Sequence, residues 1–343
     1  MKLNRGINLG GFLSQCTHSK EHYVEFVKND DIKQIAAWGF DHIRLPIDSE
    51  VLEDENEYEK KEGYEILLQI ISWCKESDLN IILDLHKVYG YDFNDAGNKE
   101  KNSLFSNEVL QERFIRLWRK IAEKFWVYDN VAFELLNEVV ESDNADSWNL
   151  LITKTVDNIR SITERTPIIY GGIQWNSVKT VCLLEKPKQK NIIFTFHFYE
   201  PLLFTHQKAY WVENMDKEKD ILYPESMEYY KQQSDVLGIQ GKTVRESKSK
   251  TMGTEFMEEL ISEAVSVAQE AGVSLYCGEF GVIDQAPSLD TLRWFQDIEM
   301  VFQKYQIGCA VWTYKEKDFG LIGDNYAEIK EELISLWTKN QMD

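Results

Sequence analysis

The sequence predicts an α/β protein, a closed (β/α)8 TIM barrel. Three observations carry the prediction. Short apolar runs of strand length alternate with longer segments whose apolar residues recur at three- and four-residue spacing, eight of each in turn. Strict alternation of this kind builds a parallel sheet. The 343 residues suit one such barrel with insertions, since the bare fold takes roughly 250. Finally, six of the strand runs end on polar or aromatic side chains, and barrels present their chemistry where strands end. An open doubly wound sheet would need a glycine-rich phosphate loop after the first strand, and INLGGFLS lacks the GxGxxG spacing.

RGINLGG (5–11) reads as a strand closing on a glycine turn. A helix is expected over 20–38, stopped by Gly39 in the C-cap position. FDHIRLPI (40–47) is the second strand, 63–77 a helix, and NIILDLH (80–86) the third strand. The segment 108–125 has the clearest helical spacing. VAFELLNE (131–138) begins as a buried strand and ends on Asn137 and Glu138. A helix follows over 146–162, then the strand TPIIYGG (166–172) and a fifth helix near 177–185. NIIFTFHFYE (191–200) is the sixth strand. Residues 201–252 break the rhythm with charged and aromatic runs. They are expected to form a small inserted subdomain between strand six and its helix, lying over the cleft, because fifty residues of plain loop are unusual in a compact barrel. The helix at 253–272, the strand VSLYCGEFGV (273–282), the helix at 289–305, the strand IGCAVWTY (307–314) and a closing helix at 327–339 complete a single domain over 1–343.

Composition narrows the function. Formal charge is −20, from 58 acidic against 38 basic residues. Such a field repels nucleic acid and anionic membranes but leaves a neutral ligand unaffected. Aromatics are 13%, with 10 Trp and 16 Tyr, and aromatics that do not fill a core often line a binding face. The five cysteines include no CxxC pair, so neither a disulfide framework nor a zinc site is expected. MKLNRGINLGG has no apolar signal core and no run reaches transmembrane length, which suits a cytoplasmic chain or a processed secreted one.

Closing the barrel would collect Arg44, His86, Asn137, Glu138, His197, Tyr199, Glu279 and Trp312 at one mouth. Two carboxylates facing each other across a cavity suit glycoside hydrolysis, in which one carboxyl is protonated and the other ionised. An arginine near one holds it charged. An amide beside the other can bond a sugar hydroxyl, and an indole offers a platform for a pyranose face.

GINLGG, HIRLP, LDLH, LLNE, HFY, GEFG and VWTY, in this order, resemble glycoside hydrolase family 5, and more narrowly its bacterial endo-β-1,4-glucanases with a long insert after the sixth strand. The resemblance runs from Arg5 to about Trp337. It implies a retaining double displacement with Glu138 as acid/base and Glu279 as nucleophile, and no cofactor or metal. It also implies Asn137 on the sugar 2-hydroxyl, His197 and Tyr199 orienting the two carboxylates, Arg44 and His86 flooring the subsite, and Trp312 as platform, followed by a cis peptide bond. Trp175, in the tip GGIQWNS, and Trp211, in the insert, fall in regions that contact substrate. The expected partner is a β-glucan oligo- or polysaccharide, bound by a monomer. A β-mannanase or exo-β-1,3-glucanase would share this machinery. A non-catalytic carbohydrate-binding barrel would not require both carboxylates, and a phosphate-handling barrel would want a glycine-rich site where GEFGV and TYKEKDFG stand.

Overall fold

The computed structural model of the protein describes residues 1–338. Eight parallel strands close into a barrel in chain order, with β8 pairing back onto β1. They are β1 (Arg5–Asn8), β2 (His42–Asp48), β3 (Asn80–Lys87), β4 (Val131–Glu134), β5 (Ile168–Gly171), β6 (Ile192–Phe198), β7 (Ser274–Phe280) and β8 (Gly308–Val311). Helices α3 (Lys61–Glu76), α4 (Glu108–Phe125), α5 (Ala145–Arg160), α9 (Thr254–Ala271) and α10 (Ser288–Tyr305) lie between them in sequence, and α11 (Lys330–Thr338) follows β8. The closing helix thus starts later than expected, and Lys339 lies outside the described residues. Among the described residues no helix is long and apolar enough to cross a membrane, and the five cysteines are free thiols.

Two expected helices differ. The segment 20–38 is two helices, α1 (Lys20–Glu25) and α2 (Asn29–Trp38). The break carries its own cap: the Asp31 carboxylate accepts the Lys28 N–H at 2.8 Å. Asp30 and Asp31 then sit in the first turn of α2, where the helix dipole favours negative charge. After β5 the chain makes a 3-10 turn, Val178–Leu183, rather than an α-helix. Three β-branched residues in six, Val178, Thr180 and Val181, lower its helix propensity.

Period-two alternation places one side chain in every two inside the barrel. Ile82, Ala132, Ile169, Tyr276 and Ala310 form an apolar plug there. His42 joins this layer, its Nε2 2.8 Å from the Tyr276 hydroxyl. Two residues further along the same faces come Asn8, Arg44, Asp84 and Glu134, all fully buried. A dry plug therefore supports a polar floor, and the floor supports the mouth.

Three buried indoles fix how strands leave the barrel. Trp118 of α4 donates to the Leu135 carbonyl at 3.0 Å, and Trp148 of α5 to Gly171 at 2.9 Å. Trp294 of α10 donates to Glu200 at 3.0 Å. Each pairs a carbonyl at the C-terminal end of a strand, just where the ladder stops supplying partners. Part of the aromatic excess is therefore core rather than binding face.

Residues 201–252 hold α6 (Leu202–Thr205), α7 (Met227–Gln233), a 3-10 segment (Ser234–Gly241) and α8 (Lys242–Glu246). Leu203, Phe204, Ile221, Tyr223, Tyr230 and Val244 are buried. Tyr223 ties this segment to α10, its N–H on Asp290 at 3.1 Å and its hydroxyl on Asp297 at 2.7 Å.

Candidate active site

Arg44 is the hub of the mouth. It is 0% exposed, and its five donors are spread over four strands. Nε and Nη2 grip Glu134 in a two-point contact at 2.8 and 2.9 Å. Nη1 donates to Glu279 at 2.7 Å and Asn8 at 3.0 Å, while Nη2 also reaches Asn137 at 2.8 Å and Asp84 at 3.1 Å. Burial disfavours its charge, but Asp84, Glu134 and Glu279 outweigh that and hold it protonated. One guanidinium thus serves three carboxylates, with Glu138 close by. Burial raises Glu134 against the pull of Arg44, and lifts Asp84 to about 7.

Glu138 and Glu279 approach from opposite walls. An oxygen of each lies within 4.8 Å of the other and of a His197 ring nitrogen. His197 Nδ1 is 2.7 Å from Glu138 Oε1 and 3.7 Å from Glu279 Oε2. Tyr199 donates to Glu279 Oε2 at 2.9 Å. Burial pushes Glu138 up to about 7, against the opposing charges of His86 and Arg44. Burial likewise takes His197 down to about 4, so the imidazole is neutral near pH 7. The site therefore pairs a carboxyl that keeps its proton with a second carboxylate that accepts from Arg44 and Tyr199.

The position of Glu279 comes from a bulge. Phe196 pairs with Cys277, but His197 pairs with Glu279, leaving Gly278 as an extra residue on β7. A bulge of this kind re-aims the following side chain. The Gly278 carbonyl is held by Asn8 Nδ2 at 3.0 Å.

The remaining expected residues divide. His86 is buried, its Nδ1 2.7 Å from Asp84 Oδ2. Its ring lies parallel to Trp312, with centroids 5.8 Å apart. The Trp312–Thr313 bond is cis. Asn137 spends its oxygen on Arg44 while its Nδ2 is buried and, among the described residues, without a protein partner, which leaves a donor for a ligand. Trp175 stands in a run of three left-handed residues, 174–176, that is tied by its own N–H to the Val139 carbonyl. Trp211 is apart from the carboxylates. It is 43% exposed, edge-on to Tyr210 and His206, at the end of an aromatic series that runs through Phe319 to Tyr199. It is not core.

Sequence reasoning passed over Asn8, Asp84 and Glu134. A signal existed for two of them. Asp84 in IILDLH and Glu134 in VAFELL are single carboxylates inside apolar strands, and a charge buried there needs a partner.

A barrel whose mouth sets a protonated carboxyl against a second carboxylate, without phosphate-binding glycines, defines an enzyme of the glycoside hydrolase class. A model of the cellulase family (glycosyl hydrolase family 5) matches residues 5–318. Cellodextrinase A of Ruminococcus flavefaciens is 38% identical over 90% of this chain and 86% of its own length. Endoglucanase C of Acetivibrio thermocellus is 35% identical over 98% of both chains. The fold matches the crystal structure of endoglucanase Cel5A from the hyperthermophilic Thermotoga maritima, with a TM-score of 0.75 at 24% identity, covering 98% of this chain and 97% of that one. The chain belongs to glycoside hydrolase family 5.

Proposed function

We propose that the protein is a retaining, endo-acting β-1,4-glucanase acting on cellulose-type or mixed-linkage β-glucans. The observation that carries the mechanism is the approach of the two carboxyl groups to within 4.8 Å. Retaining enzymes hold their pair about 5–5.5 Å apart, whereas inverting ones leave about 6.5–9.5 Å for a water. The β-1,4-glucan reading draws on the endoglucanase and the cellodextrinase, which align with nearly the whole chain.

Glu138 donates its proton to the leaving oxygen as Glu279 attacks the anomeric carbon from the opposite face. The glycosyl–enzyme ester is then opened by a water that Glu138, now ionised, deprotonates. His197 aligns Glu138, and Tyr199 with Arg44 aligns Glu279. The free Nδ2 of Asn137 takes the 2-hydroxyl of the sugar being cleaved. His86 floors that subsite and Trp312 carries the sugar face. Trp211 stacks the unit beyond the scissile bond, and the segment 201–252 walls that side of the cleft. Trp175 flanks Glu138 through the loop anchored at Val139. The chain works as a monomer.

The test has two arms. Reducing-sugar release should be greatest on barley β-glucan and carboxymethyl cellulose, and low on mannan and laminarin. For Glu138→Ala, azide should restore turnover of an aryl cellobioside and yield the β-glycosyl azide. An α-azide would mean inversion, and strongest activity on mannan would move the specificity.

A further inference from the structure

We propose that Gln15, whose backbone is fixed at the rim by Asp48 and Lys317, is a positioning residue: its side-chain amide donates to His86 Nε2 and holds His86 as the neutral tautomer with its proton on Nδ1.

Gln15 Nε2 lies 3.3 Å from His86 Nε2. An amide N–H can only donate, so that ring nitrogen must offer its lone pair. The ring proton then sits on Nδ1, pointing at Asp84 Oδ2 2.7 Å away. Phe93 packs edge-on to the imidazole and Trp312 lies flat against it, so the ring cannot turn to exchange the two nitrogens without moving both.

The loop after β1 is built to hold this amide in place. Gln15 has a left-handed backbone, φ 54°, which a non-glycine residue seldom adopts unless its surroundings impose it. Its N–H donates to Asp48 Oδ2 at 3.1 Å, and Lys317, from the loop after β8, donates to its carbonyl. Asp48 is itself buried and gathers the Ser14 hydroxyl at 2.6 Å and His18 Nε2 at 3.1 Å.

The tautomer matters because of what faces the ring. Asp84 comes from its own strand, Arg44 and Asp48 from β2, Glu138 from the end of β4 and Glu279 from β7. Burial takes His86 down to about 4 against the pull of those carboxylates. A charged His86 would oppose the burial that keeps the proton on Glu138. A donor at Nε2 excludes the doubly protonated ring. Gln15 thereby protects the acid form of Glu138 without touching it.

This inference rests on the glycosidase reading for its consequence, but the tautomer is measured on the free enzyme without substrate. Of the six histidines, His86 is assigned by the ring signals lost in His86→Gln. In the wild type its ¹⁵N spectrum should show Nδ1 protonated and Nε2 bare. Gln15→Met, which keeps the length and loses the donor, should give mixed tautomers. Gln15→Glu, which presents an acceptor, should protonate Nε2. A wild-type spectrum with Nε2 protonated overturns the proposal. So does a Gln15→Glu enzyme with ring signals unchanged. If either variant folds poorly, the wild-type spectrum alone still decides.

Discussion

His197 is the strand partner of Glu279, while one step earlier Phe196 pairs with Cys277, so Gly278 stands unmatched between the two walls of the site. A Cβ on Gly278 would lie 3.0 Å from Thr195 Oγ1 and 3.2 Å from His197 Nε2. His197 cannot retreat without dragging Glu138, which its other nitrogen holds at 2.7 Å. Gly278→Ala should therefore lower kcat about tenfold, because small misplacements at a reacting centre are costly, while KM and melting temperature barely change. Unaltered kcat would mean that the bulge does not set the geometry.

The raised Glu138 makes both activity and stability fall as pH rises, stability below about pH 7 and activity above it. As pH passes about 7 the acid is lost and kcat should fall. A carboxyl whose folded pKa exceeds its unfolded value costs stability as pH rises, from the unfolded value near 4.5 up to about 7. Glu138→Gln removes that penalty, on the order of 3 kcal/mol for a shift of this size. Its melting temperature relative to wild type should climb between pH 4 and pH 8. A constant difference across that range would contradict the raised value.

Arg44 should be irreplaceable even by lysine. Arg44→Lys keeps the charge but cannot grip Glu134 at two points while reaching Glu279, Asn137 and Asp84. Removing one partner of a buried ionic cluster typically costs about 3–5 kcal/mol. Arg44→Met should lose stability of that order in urea titrations, and Arg44→Lys a substantial fraction of it. A lysine variant with wild-type stability and kcat would refute the hub assignment.

Trp211→Ala tests the aromatic series beyond Tyr199. The indole is 43% exposed, so its loss should leave melting nearly unchanged. A stacked aromatic contributes about 0.5–1.5 kcal/mol beyond its burial, so cellotetraose affinity should fall several-fold. Turnover of an activated aryl cellobioside should stay close to wild type. Unchanged affinity with a lower melting temperature would make Trp211 structural.

Much of the fold was legible because the barrel writes itself as alternation: strands as short apolar runs, helices as amphipathic ones. The misread places are those where local chemistry overrides the wider pattern. Asp31 starts a second helix inside the segment 20–38 through its own cap, and the β-branched run at 178–181 never becomes an α-helix. At the site, residues at strand ends stood out as polar side chains after apolar runs. The floor beneath them did not. Glu134 and Asp84 are recognisable as a charge cluster only when closure brings Arg44 between them, and the link between Gln15 and His86 joins the loop after β1 to the end of β3. Pairings of that kind have no signature along the chain.

The excess of carboxylates over guanidinium at the barrel floor has one more consequence. Asp84, Glu134 and Glu279 share a single buried Arg44, while Glu138 keeps its proton and adds no charge of its own. That imbalance gives the cleft a standing negative potential before any substrate arrives. Glycoside cleavage passes through an oxocarbenium-like state in which positive charge spreads over the anomeric carbon and ring oxygen. A sugar enters this cleft neutral and gains little from the potential. Only as the glycosidic bond stretches does it acquire the charge that the surrounding groups are already oriented to receive, so the field favours the passing cation over the resting substrate.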